Sequence, residues 1–165
     1  ERLLGLPNLY GFFQGDDMGF KTGTLVSPGH LREYVLPWHK KLAALAHQHG
    51  LVYLLHSCGN LDAIAPDLVD DVGIDARHSF EDEGNSVIDF KRRYGNRVAV
   101  LGGVDVDKLA RLPEPALRAH VRTIIDACMP GGRFALGSGN TVCNYVPLKN
   151  YFAMVEEALN YAGDV

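Results

Sequence analysis

Five short, continuous apolar runs, each followed by a stretch of helical spacing, constrain this chain more than any other feature of it. The runs fall at residues 9–13, 51–55, 74–77, 98–101 and 134–136. A strand with water on one face alternates apolar and polar residues, whereas a strand covered on both faces has no need to, so these runs read as a buried parallel sheet. Strand and helix in turn, repeated along the chain, is the α/β pattern.

The helical stretches carry their own punctuation. Residues 28–49 place Leu31, Val35, Trp38, Leu42, Leu45 and Ala46 at three- and four-residue spacing, and Gly50 closes the stretch. Pro37 inside it predicts a kink or a break into two helices. Asn60 is positioned to cap residues 61–72, Ser86 to cap 87–94 and Asp105 to cap a short helix through Arg111. A longer helix spans 113–129 and stops at Pro130-Gly131-Gly132. The last covers 147–162, with its proline in the first turn, where a missing N–H costs little.

No linker, low-complexity stretch or charge block interrupts the pattern, so residues 1–165 are expected to form a single domain. Five βα units do not close an eight-stranded barrel, which takes about 250 residues. The alternatives are a piece of such a barrel and an open doubly wound sheet. The opening Glu1-Arg2-Leu3-Leu4 lacks an initiator Met and reads as the tail of an element already under way. The expected fold is therefore the C-terminal five βα units of a (β/α)8 TIM barrel, a truncated barrel whose N-terminal half is missing.

Composition narrows the partners. A net charge of -4 gives no reason to expect nucleic acid or an anionic membrane. No apolar run approaches the ~18 residues of a spanning helix. Three cysteines, an odd and low count, argue against a disulfide framework, and a reducing, cytoplasmic setting is expected.

In a βα barrel the working residues lie at the C-terminal ends of the strands. Here reactive side chains fall there repeatedly: Asp16 and Asp17, His56 and Cys58, His78 and Glu81, Asp105, and Cys143 a few residues after the last run. In extended backbone, residues two apart point the same way, so His56 and Cys58 can face one centre. A thiolate with an imidazole suits Zn²⁺, and Cys143 is the natural third ligand of a site that keeps one position open. The alternative is a buried Cys beside a hydrogen-bonded His. Asp16 and Asp17 read as proton-transfer groups, metal ligands or loop-ordering groups, or as plain helix caps. The 78–82 segment either lines a pocket, with His78 a proton donor or substrate contact, or is tied down by its own hydrogen bonds. Gly102-Gly103 and residues 137–140 allow close backbone approach, consistent with a large ligand. Cys128 aligns with Val121, Ile124 and Ile125 and is expected in the core. His39, His47 and His49 read as solvated or capping residues, and Lys91, Arg92 and Arg93 as a solvated face at a helix end.

Longer segments carry a family likeness. Gly15-Asp16-Asp17, Gly23-Thr24-Leu25-Val26-Ser27-Pro28 and Tyr34-Val35-Leu36-Pro37-Trp38-His39-Lys40 resemble the middle of uroporphyrinogen decarboxylase-like proteins. Leu55-His56-Ser57-Cys58-Gly59-Asn60 is similar to the His-x-Cys-Gly-Asn segment of that superfamily's methyltransferase branch. Leu101-Gly102-Gly103-Val104-Asp105 and the Gly-rich end before residues 147–156 continue the match.

The resemblance implies a (β/α)8 barrel of about twice this length and one of two chemistries. Decarboxylases of the superfamily act on a tetrapyrrole without metal or cofactor. Corrinoid-linked methyltransferases hold zinc with His-x-Cys and a distant Cys four residues before a Pro, and the zinc activates a thiol such as coenzyme M. Cys143-Asn144-Tyr145-Val146-Pro147 has that spacing, so the ligands carry over to His56, Cys58 and Cys143. The decarboxylases typically have Ser-His-Asn in this loop, where this chain has Ser138-Gly139-Asn140. Related methyltransferases use a tetrahydrofolate acceptor. The expected function is thus methyl transfer between a methylcorrinoid carried by a partner corrinoid protein and a small-molecule methyl acceptor, either a thiol or tetrahydrofolate. Asp17 and His78 are the expected catalytic residues, and Asp16, Glu81, Asp105 and Asn140 the expected substrate contacts. The alternatives are a cofactor-free tetrapyrrole decarboxylase and a non-catalytic corrinoid- or metal-binding module.

Overall fold

The computed structural model describes Leu4 and residues 6–163, with 162 and 163 as backbone. Of the opening stretch read as the tail of an element, residues 1–3 lie outside the described residues. The strands are β1 (Gly11–Gly15), β2 (Gly19–Phe20), β3 (Gly23–Thr24), β4 (Val52–His56), β5 (Ala76–His78), β6 (Ala99–Val104) and β7 (Phe134–Ser138). The α-helices are α1 (Pro28–His30), α2 (Leu36–Gln48), α3 (Val87–Tyr94), α4 (Val106–Arg111), α5 (Glu114–Cys128) and α6 (Leu148–Gly163).

Five of the strands form one parallel sheet in the order β1-β4-β5-β6-β7. Each strand pairs with the next in sequence and the order never doubles back. A doubly wound sheet reverses its order at a switch point, so this is the wall of a βα barrel. The register puts Phe13, Leu54, Ala76 and Ala99 in one row and Gly15, His56 and His78 in the row above. Strand periodicity then sorts the side chains. Tyr53, Leu55, Arg77 and Val100 are buried on one face, while Phe13 and Val52 on the other are 60% and 43% exposed.

The core fills the buried face. Leu117, Val121, Ile124, Ile125 and Cys128 make one stripe of α5, as the helical period requires, and Cys128 is buried there as expected. Pro37 has the predicted effect in a milder form. A π-helical turn, Leu31–Val35, joins α1 to α2, and Leu36 N–H bonds back to Leu31 O. The wider turn absorbs the donor that proline lacks, so the helical path continues. Of the expected helix at 61–72 only 65–72 is helical, mostly as a π-helical turn at Asp67–Val72, and Asn60 Oδ1 accepts from Asp62 N–H in the turn before it and does not cap the helix.

Tertiary contacts correct one expectation and add one element. Lys91 is buried, its ammonium bonded to Gly132 O, so the 91–93 run is a solvated face only in part. The hairpin β2–β3, too short to leave a periodic signal, folds over the loop after β4, where Asn60 N–H bonds to Phe20 O. Among the described residues no helix is long and apolar enough to cross a membrane.

Candidate functional site

All five strands of the sheet run one to three residues past their apolar runs, and the added residues include His56, His78 and Ser138. The reactive groups therefore sit on the sheet itself. Asp16 N–H bonds to His56 O at 3.0 Å, and Ser57 N–H bonds to His78 O at 2.7 Å. These bonds continue the ladder into the loops. Buried Ser57 locks the first of them, its Oγ accepting from Met18 N–H at 3.1 Å.

On this frame Asp17, His56 and Cys58 converge, with one ligand-type atom of each within 4.8 Å of the other two. Cys58 Sγ lies 3.4 Å from His56 Nε2, and Asp17 Oδ1 lies 3.8 Å from the same nitrogen. Asp17 Oδ1 also accepts from Cys58 N–H at 3.0 Å. That backbone donor, followed by the thiol, holds the Asp17 carboxyl below its ordinary value. The Cys58 thiol is pushed up, chiefly by burial and then by the Asp17 carboxylate beside it. Asn140 Nδ2 donates to Cys58 Sγ at 3.1 Å, which favours the thiolate.

His78 stands behind His56. The two Nδ1 atoms are 2.7 Å apart, and His78 Nε2 is 3.1 Å from Ser138 O. Burial pushes the His78 imidazole below its ordinary value. The Phe13 ring meets His56 edge-on, with centroids 6.2 Å apart.

Sulfur, imidazole nitrogen and carboxylate oxygen together suit Zn²⁺, and three protein donors leave a fourth position for a substrate. A half-buried thiol held protonated by a neighbouring carboxylate is also what a cation would relieve, because it stabilises both anions. The donor set therefore fits a zinc ion.

The other predicted residues are distributed around this group. Asp16 turns to α2, where its Oδ2 accepts from His39 Nε2 at 3.0 Å while Tyr53 OH is 2.8 Å from His39 Nδ1. His39, expected to be solvated or capping, is 3% exposed and joins strand to helix. Asp105 caps α4 through Asp107 N–H, as its position predicted, and also accepts from Asp82 N–H at 3.0 Å. Cys143 lies outside the Asp17–His56–Cys58 group, with its Sγ 3.5 Å from Thr141 O. It lines a cavity of about 540 Å³ with Glu81, Asp105, Lys108, Asn140 and Tyr145 among its walls. Asn140 touches both the cavity and Cys58, so the cavity adjoins the group. Sequence reasoning missed Ser57, Phe13 and the Ser138 carbonyl. The first two carry no reactive signature, and the third is a backbone atom.

The family model described as uroporphyrinogen decarboxylase (URO-D) matches residues 13–161. No curated protein matches the chain. Among solved structures, the chain is similar to a methyltransferase from Methanosarcina mazei, with 23% identity and a TM-score of 0.75. The match covers 94% of this chain and 43% of that one, so the chain spans less than half the length of the structure it resembles.

Proposed function

The chain belongs to the uroporphyrinogen decarboxylase (URO-D) family, and from that premise we propose that it is part of a zinc-dependent methyltransferase. In this reading a methyl group passes between a corrinoid protein and a thiol or tetrahydrofolate acceptor. The observation that carries it is the convergence of Asp17, His56 and Cys58 at the mouth of the parallel sheet. The methyltransferase name of the Methanosarcina mazei structure supports the same reaction class.

His56 Nε2 and Cys58 Sγ would hold the ion, with Asp17 the third donor in this geometry and Cys143 the alternative third donor on the neighbouring loop. A bound zinc ion lowers the pKa of a thiol placed at its open position. The Asp17 side chain is 59% exposed, so it borders the side from which substrate would arrive. Asn140 donates to Cys58 Sγ and tempers the charge of that ligand. The 540 Å³ cavity beside Asn140 is the place for the acceptor. A decarboxylase-type histidine at position 139 does not fit this loop, since a Cβ there would lie 2.1 Å from Phe80 O.

Metal analysis of the purified protein tests the proposal, with Cys58→Ala, Asp17→Asn and Cys143→Ala beside the wild type. About one zinc per chain, lost in Cys58→Ala, is expected. Loss in Asp17→Asn or in Cys143→Ala then names the third ligand. A wild type that takes up no zinc under metal-replete conditions sinks the mechanism.

A further inference from the structure

We infer that His78 is a positioning residue that fixes the proton of His56 on Nδ1 and thereby aims the bare Nε2 lone pair at Cys58 and Asp17. The inference deepens the zinc-site reading and rests on it for its consequence, though the proton arrangement stands on geometry alone.

The order of protons starts from a backbone atom. Ser138 O can only accept, so the 3.1 Å contact places a proton on His78 Nε2. A neutral imidazole carries one N–H, which leaves His78 Nδ1 as an acceptor. The 2.7 Å contact between the two Nδ1 atoms then requires the proton to sit on His56 Nδ1. His56 Nε2 is left with its lone pair, 3.4 Å from Cys58 Sγ and 3.8 Å from Asp17 Oδ1. A charged His78 is the competing arrangement. Among the described residues its ring meets Ser138 O, His56 and Phe13, and none of these is a carboxylate.

The relay is held from both sides. The β4–β5 register pairs His56 with His78, and the β6–β7 register brings Ser138 beside Val104. Gly102, at a φ of +89°, leaves room for the contact, because a Cβ there would lie 2.5 Å from Ser138 O and 2.8 Å from His78 Cδ2. Ligating imidazoles commonly donate their second N–H to a carboxylate or carbonyl, and such partners tune affinity by roughly 10–100-fold. Here a second imidazole serves, with its own orientation set by a strand end.

Two measurements test this. Nitrogen-15 NMR of the imidazoles in the metal-free protein is expected to show His56 with a pyrrole-type Nδ1 and a pyridine-type Nε2, and His78 with the reverse. A predominant N–H on His56 Nε2 overturns the inference. Zinc affinity by chelator competition is expected to fall about 10–100-fold in His78→Leu. It is expected to stay within a few-fold of wild type in His78→Asn, whose Oδ1 can accept from His56 Nδ1. Equal affinities in wild type and His78→Leu would also overturn it. If the wild type binds no zinc, the methyltransferase mechanism fails while the NMR result still decides the proton arrangement.

Discussion

Replacing Gly102 by alanine probes the packing on which the His56–His78 pair depends. A methyl group there would stand 2.5 Å from Ser138 O and 2.8 Å from His78 Cδ2, whereas real Cβ contacts essentially never fall below 3.0 Å. Backbone or ring must therefore retreat by about 0.5 Å, from 2.5 to 3.0 Å, at a minimum. Overpacking of this kind costs about 1–3 kcal/mol. The φ of +89° adds about 1–2 kcal/mol for an L residue. Loosening the His78–Ser138 bond adds ~0.5–1.5 kcal/mol. A destabilisation of about 2.5–6.5 kcal/mol is expected, read as a lower urea midpoint at unchanged slope. Gly131→Ala is the control, because its φ is also positive, at +78°, but nothing lies within 4 Å of the added Cβ. That variant isolates the backbone cost of about 1–2 kcal/mol. If Gly102→Ala costs no more than the control, the close approach of β6 to the His78–Ser138 contact is refuted.

Two further outcomes follow from buried polar groups. Burial, with the Asp16 carboxylate nearby, pushes the Tyr53 hydroxyl up to about 12 from its ordinary 10.0. A raised folded pKa means stability fully present below pH 10 and lost as pH rises through about 12. Urea midpoints measured against pH should fall over that window in the wild type and fall less in Tyr53→Phe; parallel curves would contradict the assignment. Asn150 is buried, and its Nδ2 donates to Leu109 O at 2.8 Å and Leu112 O at 3.1 Å, closing the end of α4. Asn150→Ala strips both carbonyls of that donor and is expected to cost about 1–3 kcal/mol. An unchanged thermal midpoint would show that water replaces the amide.

Much of the site is written in one dimension. His56 and Cys58 are two residues apart at a strand end, and extended backbone turns such residues the same way. The run that precedes them is apolar enough to identify the strand, so their meeting follows from local rules. Asp17 follows a strand that pairs with β4 in parallel, which brings its carboxylate over the same loop. His39 could not be read this way. Helical spacing does not say which of three histidines turns inward, and its burial depends on Asp16 and Tyr53 arriving from two strands.

By itself, then, the sequence determined the α/β alternation, the core stripe of α5, the caps at Ser86 and Asp105, and the reactive residues at the strand ends. Each depends on periodicity or on contacts a few residues apart. Tertiary structure decided the unreversed strand order, the Asp17–His56–Cys58 grouping and the line from Ser138 O through His78 to His56. Those depend on registers between strands that lie tens of residues apart. A carbonyl oxygen is the same atom in every residue, so only the fold can say which one a histidine meets.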